Sequence, residues 1–128
     1  MTGTKANEDQ FQELAANTNE GPFVMLNLLK IKNEGGWEAY SRYIKESRPF
    51  LENVGAKLLY FGKAKELLNG IETWDIVMLV QYPSRKAFLK MANNPDYLKV
   101  HSFREEALDR AVLYATDPAT FKDIISQQ

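Results

Sequence analysis

One segment is apolar on both of its faces: Phe23-Val24-Met25-Leu26-Asn27-Leu28-Leu29-Lys30-Ile31, opened by Gly21-Pro22. Read as a strand, it puts Phe23, Met25, Asn27, Leu29 and Ile31 on one side and Val24, Leu26, Leu28 and Lys30 on the other. A strand apolar on both sides is covered on both sides. Asn27 is the one amide in the run. A buried amide needs a hydrogen-bond partner, from the protein or from a ligand.

Helical spacing takes over after Asn33-Glu34-Gly35-Gly36. Trp37, Tyr40, Ser41, Ile44, Ser47, Arg48 and Leu51 predict a helix from about Trp37 to Asn53. Pro49, late in the helix, is expected to bend or weaken the turn before it, and Gly55 to stop the helix. Alternation returns at Lys57 to Leu68, a second strand, and at Trp74 to Tyr82, a third. Asn69-Gly70 between them signals a hairpin. In the third strand Trp74, Ile76, Met78, Val80 and Tyr82 oppose Asp75, Val77, Leu79 and Gln81. Ser84 is placed to cap a short helix carrying Ala87, Phe88 and Met91. Asn94-Pro95 restarts a helix that runs to about Asp109. Ala111 to Thr116 forms a fourth strand, ended by Asp117-Pro118. Ala119 to Ile125 is a short terminal element of no assigned type. At the other end, Met1 to Ala6 reads as a loose tail. Asn7 then caps a short helix with Glu8 and Asp9 in its first turn and Phe11, Leu14 and Ala15 on its apolar face.

The order after that N-terminal helix is βαββαβ, an α+β ferredoxin-like arrangement. The expected division is 1–20 for the tail and short helix, 21–117 for the ferredoxin-like domain and 118–128 for a C-terminal extension. Helices cover one sheet face. The second apolar face is expected to meet a second copy of the chain, as a homodimer forming an α/β barrel.

Composition removes several functions. The chain has 128 residues, 45% of them apolar, enough for one packed domain. Sixteen basic residues against 17 acidic ones give no electrostatic footprint for nucleic acid. There is no cysteine, which rules out disulfides, thiolate metal sites and cysteine nucleophiles. No stretch is long and apolar enough for a membrane span and none resembles a signal core, so the expected location is cytoplasmic.

Several stretches together resemble a known family: Met25-Leu26-Asn27-Leu28-Leu29-Lys30; the helix with Tyr40 and Tyr43; Trp74 through Arg85 with Ala87-Phe88; and Pro95-Asp96-Tyr97 with Arg104 and Ala107-Leu108. The resemblance, from about Gly21 to Thr116, is to the bacterial domain of unknown function family numbered thirteen-thirty, in the dimeric α/β-barrel superfamily. It implies a homodimer with sheets packed face to face and a pocket between each sheet and its helices. It does not imply a reaction. Relatives in the superfamily include cofactor-free and haem-degrading monooxygenases and small isomerases. Haem-degrading relatives also carry an asparagine on the first strand. Aligning Tyr82 and Phe88 with their aromatic positions, however, puts their histidine's place on Ala92.

The candidate chemistry is therefore narrow. Asn27, Tyr82 and His101 are the candidate catalytic residues: an amide, a phenol and the one imidazole that titrates near neutral pH. Tyr40, Arg48 and Arg104 are candidate substrate-binding residues, the arginines as carboxylate holders. Each has a plainer alternative. Asn27 pairs with a side chain or backbone. His101 makes a surface contact with Glu105. Arg104 forms a structural ion pair with Asp75 or another acid, the favoured alternative. Tyr40 and Tyr43 do not both face one direction well, so one is core and the other reaches a pocket. No metal site, cofactor or phosphate loop is expected. The leading function is binding of a small aromatic or acidic molecule, with cofactor-free oxygenation or isomerisation as the reaction. A non-catalytic assembly module and a haem-handling protein are the alternatives.

Overall fold

The computed structural model describes residues 6–126. The expectation for Met1 to Ala6 lies outside it, apart from Ala6. The elements are α1 (Glu8–Ala16), β1 (Phe23–Ile31), α2 (Gly36–Asn53), β2 (Lys57–Lys63), β3 (Ile76–Tyr82), α3 (Arg85–Ala92), α4 (Pro95–Ala107), β4 (Leu108–Thr116) and α5 (Phe121–Ile125). The strands form one antiparallel sheet in the order β2-β3-β1-β4. This is the ferredoxin-like α+β arrangement expected from the sequence. α1 precedes it, and the second crossover is split between α3 and α4.

The local signals form as expected where they depend on a few adjacent residues. Ser84 Oγ accepts from the Ala87 amide, and Asn94 Oδ1 accepts from that of Asp96. Pro95 opens α4 where no amide donor is needed. Gly55 adopts φ 78° behind α2, a conformation open to glycine at little cost. α2 continues through Pro49, which is exposed, so the carbonyl it leaves unpaired faces water. Asn7 stands at the N-cap of α1, but its side chain makes no cap hydrogen bond.

Two segments differ from expectation. β2 ends at Lys63, and residues 64–75 form a connecting loop instead of a tight hairpin at Asn69-Gly70. The Leu67-Leu68 end of the expected strand finds no cross-strand partner and stays exposed. β4 starts at Leu108, where α4 passes directly into the strand.

The inner sheet face holds the core. Phe23, Met25, Val80, Tyr82, Phe88, Met91 and Tyr97 form one apolar cluster. Leu29, Ile31, Tyr40, Ile76, Ala107 and Leu108 form a second. Tyr43 and Met78 touch both. The outer face carries Val24, Leu26, Leu28, Val77 and Leu79, all half-buried and in neither cluster. In register beside Leu26 lie Leu79 and Tyr114, and Tyr60 lies beside Leu79.

Gly36 locks α2 onto this frame. A Cβ there would sit 2.7 Å from Ile31 Cγ2 and 2.9 Å from the Ala107 carbonyl oxygen. That carbonyl already accepts the Lys32 amide at 2.8 Å and is not free to move. Gly36→Ala is expected to lower stability by about 1–2 kcal/mol, because overpacking outweighs alanine's better helix propensity. Urea denaturation reads the change. An unchanged or raised midpoint would show that the junction relaxes freely.

Candidate functional site

Asn27 lies in β1 at the seam between the two clusters, with Met25 in one and Leu29 in the other. Its cross-strand neighbours are Met78 and Leu113. It is buried, yet the hydrogen bond found for its side chain among the described residues is a stretched 3.5 Å contact from Nδ2 to the Met25 carbonyl. The strand therefore carries an amide to the inner face on one long hydrogen bond to its own backbone.

Two helices face that seam. On α2, Tyr40, Tyr43 and Ser47 follow one another at three- and four-residue steps, which keeps them on one stripe. On α4, Tyr97, His101 and Arg104 do the same. The hydroxyls of Tyr43 and Tyr97 share a 2.7 Å hydrogen bond across the helix pair. The Tyr40 and Tyr43 rings lie tilted with centroids 5.9 Å apart, and Tyr97 meets His101 at 5.9 Å. Both α2 tyrosines thus enter one cluster, contrary to expectation. Three residues are only about 60° apart on a helix, and long side chains close that gap.

Arg104 is the notable group. It is only 8% exposed, and its Nη2 has no hydrogen-bond partner among the described residues. The expected ion pair with Asp75 does not form. Asp75 instead accepts the Ile31 amide at 2.8 Å and faces Lys30 at 3.6 Å, which fastens the end of β1. Arg104 sits close enough to Tyr40, Tyr82, Tyr97 and His101 to act on the ionisation of each. A buried cation without a counter-charge is costly unless something supplies one.

The neighbours are tuned in consistent directions. Burial, reinforced by Tyr43, pushes the Tyr40, Tyr82 and Tyr97 phenols far above their ordinary value, against the opposing pull of Arg104. All three stay protonated at neutral pH. Tyr82 is thus a hydroxyl donor and cannot serve as a base. Burial lowers the His101 imidazole, and the Arg104 charge lowers it further, while Glu105 opposes both. His101 Nδ1 lies 3.1 Å from Glu105 Oε1.

That shift has a sign that can be checked. The stability gained by keeping His101 neutral is complete above the unfolded imidazole value, about 6.5. It is lost as pH falls from there through the lowered folded value. The thermal midpoint of the wild type is expected to drop more steeply than that of His101→Gln between about pH 7.5 and 5.5. Coincident slopes would show that the imidazole is not held neutral.

The sequence-derived candidates separate cleanly in space. Tyr40, Tyr82 and His101 lie around Arg104, and Asn27 lies on the inner face of β1 beside Met25 and Leu29. Arg48 lies apart: it is exposed and paired with Glu52 at 3.0 Å. Tyr43 and Tyr97 complete the cluster. Tyr97 was not among the candidates, although its spacing of four and seven residues from His101 and Arg104 puts it on their stripe. Arg85 was also missed. It is buried over the Phe23 ring at 4.9 Å and paired with Asp117 at 3.0 and 3.2 Å, which ties α3 to the end of β4. Ala92, at the haem-type histidine place, packs against the first apolar cluster. His101, further along, turns to Glu105.

A sequence model of the family described as "Domain of unknown function (DUF1330)" matches residues 23–117. The chain belongs to this family. The match takes in all four strands and both arms of the tyrosine–arginine cluster, and leaves α1 and α5 outside. Among solved structures, a protein of unknown function from Rhodopseudomonas palustris is 30% identical, with TM-score 0.86 over 94% of this chain and 99% of that one. A protein from Arabidopsis thaliana shares 14% identity and a TM-score of 0.62, over 77% of this chain and 96% of that one. A protein described as a dimeric ferredoxin-like protein of unknown function, from Jannaschia sp., shares 13% identity and a TM-score of 0.63, over 77% of this chain and its own full length. These two show the fold. No curated protein matches the chain. No helix among the described residues is long and apolar enough to cross a membrane.

Proposed function

We propose that this DUF1330 protein is a homodimer that binds a small organic acid between sheet and helices, with Arg104 holding the carboxylate. The observation that carries the reading is Arg104 Nη2, a buried guanidinium nitrogen without a partner among the described residues; the other such nitrogen, Arg85 Nε, belongs to a guanidinium already paired with Asp117. A carboxylate supplies both the missing charge and the missing acceptor. The protonated Tyr40, Tyr82 and Tyr97 hydroxyls donate to the ligand's oxygens, and Asn27 offers a donor and an acceptor from the strand side. His101, neutral and oriented by Glu105, is the group suited to take a proton, as cofactor-free isomerisation or oxygenation requires. The apolar outer sheet face and the dimeric assembly named for the Jannaschia protein support the homodimer.

A thermal-shift panel tests the ligand. Small monocarboxylates are expected to raise the unfolding midpoint, by about 2.7 kcal/mol of stability at a hundredfold excess over Kd, while the matching amides leave it unmoved. Asn27→Ala is expected to weaken the response. If no acid shifts the midpoint, the binding reading fails.

A further inference from the structure

The last helix, α5, is well specified locally, yet none of its residues is buried. Thr120 Oγ1 accepts the Asp123 amide at 3.3 Å, and Asp123 Oδ2 accepts that of Thr120 at 2.8 Å, a complete capping box. Five residues alone are too few to hold a helix in water. Phe121, Ile124 and Ile125 recur at three- and four-residue steps and share one face, but they are 88%, 55% and 67% exposed. A second bare apolar strip lies on the far edge of the sheet. β2 is an edge strand, and its Leu58, Leu59 and Tyr60 are each more than half exposed. An apolar edge of this kind is an association surface unless something covers it.

We propose that α5 clasps the second copy of the homodimer, laying Phe121, Ile124 and Ile125 on Leu59 and Tyr60 at that copy's β2 edge. The inference rests on the homodimer reading above and adds how its rim is closed. Strand register sets the geometry. Two sheets packed face to face by a two-fold axis through their centre have that axis in the plane between them, either along the strands or across them. On the outer face Tyr60, Leu79, Leu26 and Tyr114 form one row across all four strands. Lys57, Gln81, Val24 and Thr116 form another, and Lys30 lies beside Asp75 at the far end. An axis along the strands sets the first row on its own reversal, Tyr60 against Tyr114 and Leu26 against Leu79. It also brings each Lys30 over the other copy's Asp75. An axis across the strands drives Lys30 over Val24 and buries its charge on an apolar side chain. The charges therefore select the axis along the strands, which keeps each row at its level. Thr116 of one copy then meets Lys57 of the other. The chain from Thr116 to Phe121 spans at most about 17 Å. Packed sheets lie about 10 Å apart, so α5 reaches the second copy's β2. The added contact also supplies area. Four strands about 4.8 Å apart, over about seven residues each, give a footprint of roughly 450 Å², against about 800 Å² per partner in a stable interface.

The chain has no cysteine, so introduced ones report alone. The double variant Leu59→Cys/Ile124→Cys is treated with a short bismaleimide at micromolar concentration, beside each single variant. Products are separated on a denaturing gel and mapped by mass spectrometry. A covalent dimer joined between positions 59 and 124 is expected, at several-fold higher yield than from either single variant. Phe121→Ser/Ile125→Ser is expected to weaken dimerisation at least about tenfold by sedimentation, 1.4 kcal/mol or more, with the circular dichroism of the sheet unchanged. A 59–124 link within one chain would show α5 folding back on its own sheet and would overturn the clasp. A Leu59→Cys protein that links to itself would set β2 against β2, the axis across the strands, and would overturn it as well. A dimeric protein that gives no 59–124 link refutes the clasp and leaves the homodimer standing. A wild type that sediments as a monomer removes both.

Discussion

Replacing Arg104 with methionine is expected to stabilise the ligand-free protein. Loss of a buried charged residue normally destabilises, because it strands a partner. Here the guanidinium's Nη2 has no partner to strand. Methionine keeps an unbranched stem of similar length and removes a desolvated polar group. The gain is expected at about 1–3 kcal/mol, the cost of one unsatisfied buried group. It appears as a midpoint raised by roughly 4 °C per kcal/mol. The same variant is expected to lose its thermal response to carboxylates. Stability and ligand response would then move in opposite directions, as expected of a residue kept for binding at the expense of the fold. A variant that unfolds at lower temperature would mean that Arg104 is structural and would remove the basis for the acid site.

The second large effect concerns assembly. Sedimentation velocity is expected to show the wild type as a homodimer at micromolar concentration and Leu79→Glu as a monomer. Leu79 lies on the outer sheet face between Leu26 and Tyr60, in neither core cluster. A carboxylate there stays solvated in one copy and costs that copy little. Between two copies it would be a buried, unpaired charge worth about 3 kcal/mol or more, over a hundredfold in Kd. Circular dichroism should show the monomeric variant still folded. A wild type that is monomeric at these concentrations would refute the homodimer. A Leu79→Glu protein that remains dimeric would place the interface elsewhere.

What could be read from the sequence was whatever a few adjacent residues decide. Ser84, Asn94-Pro95 and Gly55 act on the turn they occupy, and they appear where expected. β1 was readable because nine residues alternate under two apolar faces. The 64–75 loop was not, because Asn69-Gly70 marks a reversal but says nothing about whether the flanking residues pair. Leu67 and Leu68 look like strand residues until no strand lies opposite them. The cluster was readable in most of its members, Tyr97 excepted, and not in its arrangement. Arg48 and Arg104 are alike as letters, and only the packing of α2 and α4 turns one outward to Glu52 and encloses the other. The ion pair expected for Arg104 was wrong for the same reason. Asp75 was available by type, but β1's own backbone and Lys30 take its two oxygens.

The N-terminal helix leans on the domain through a short relay of rings. Phe11 stacks on Phe88 at 6.3 Å, and Phe88 in turn meets Phe23 at 6.2 Å and Tyr82 at 5.1 Å, edge to face. No residue of α1 is itself buried, and the helix it packs on most is α3. α1 can therefore open without breaking any strand pairing, as a subglobal unit of low stability. Its amides should exchange with solvent well before those of β1. Each opening uncovers Phe88, the ring that backs Tyr82. Warming is thus expected to loosen the outer support of Tyr82, one of the hydroxyls proposed to meet the ligand, before the sheet itself opens.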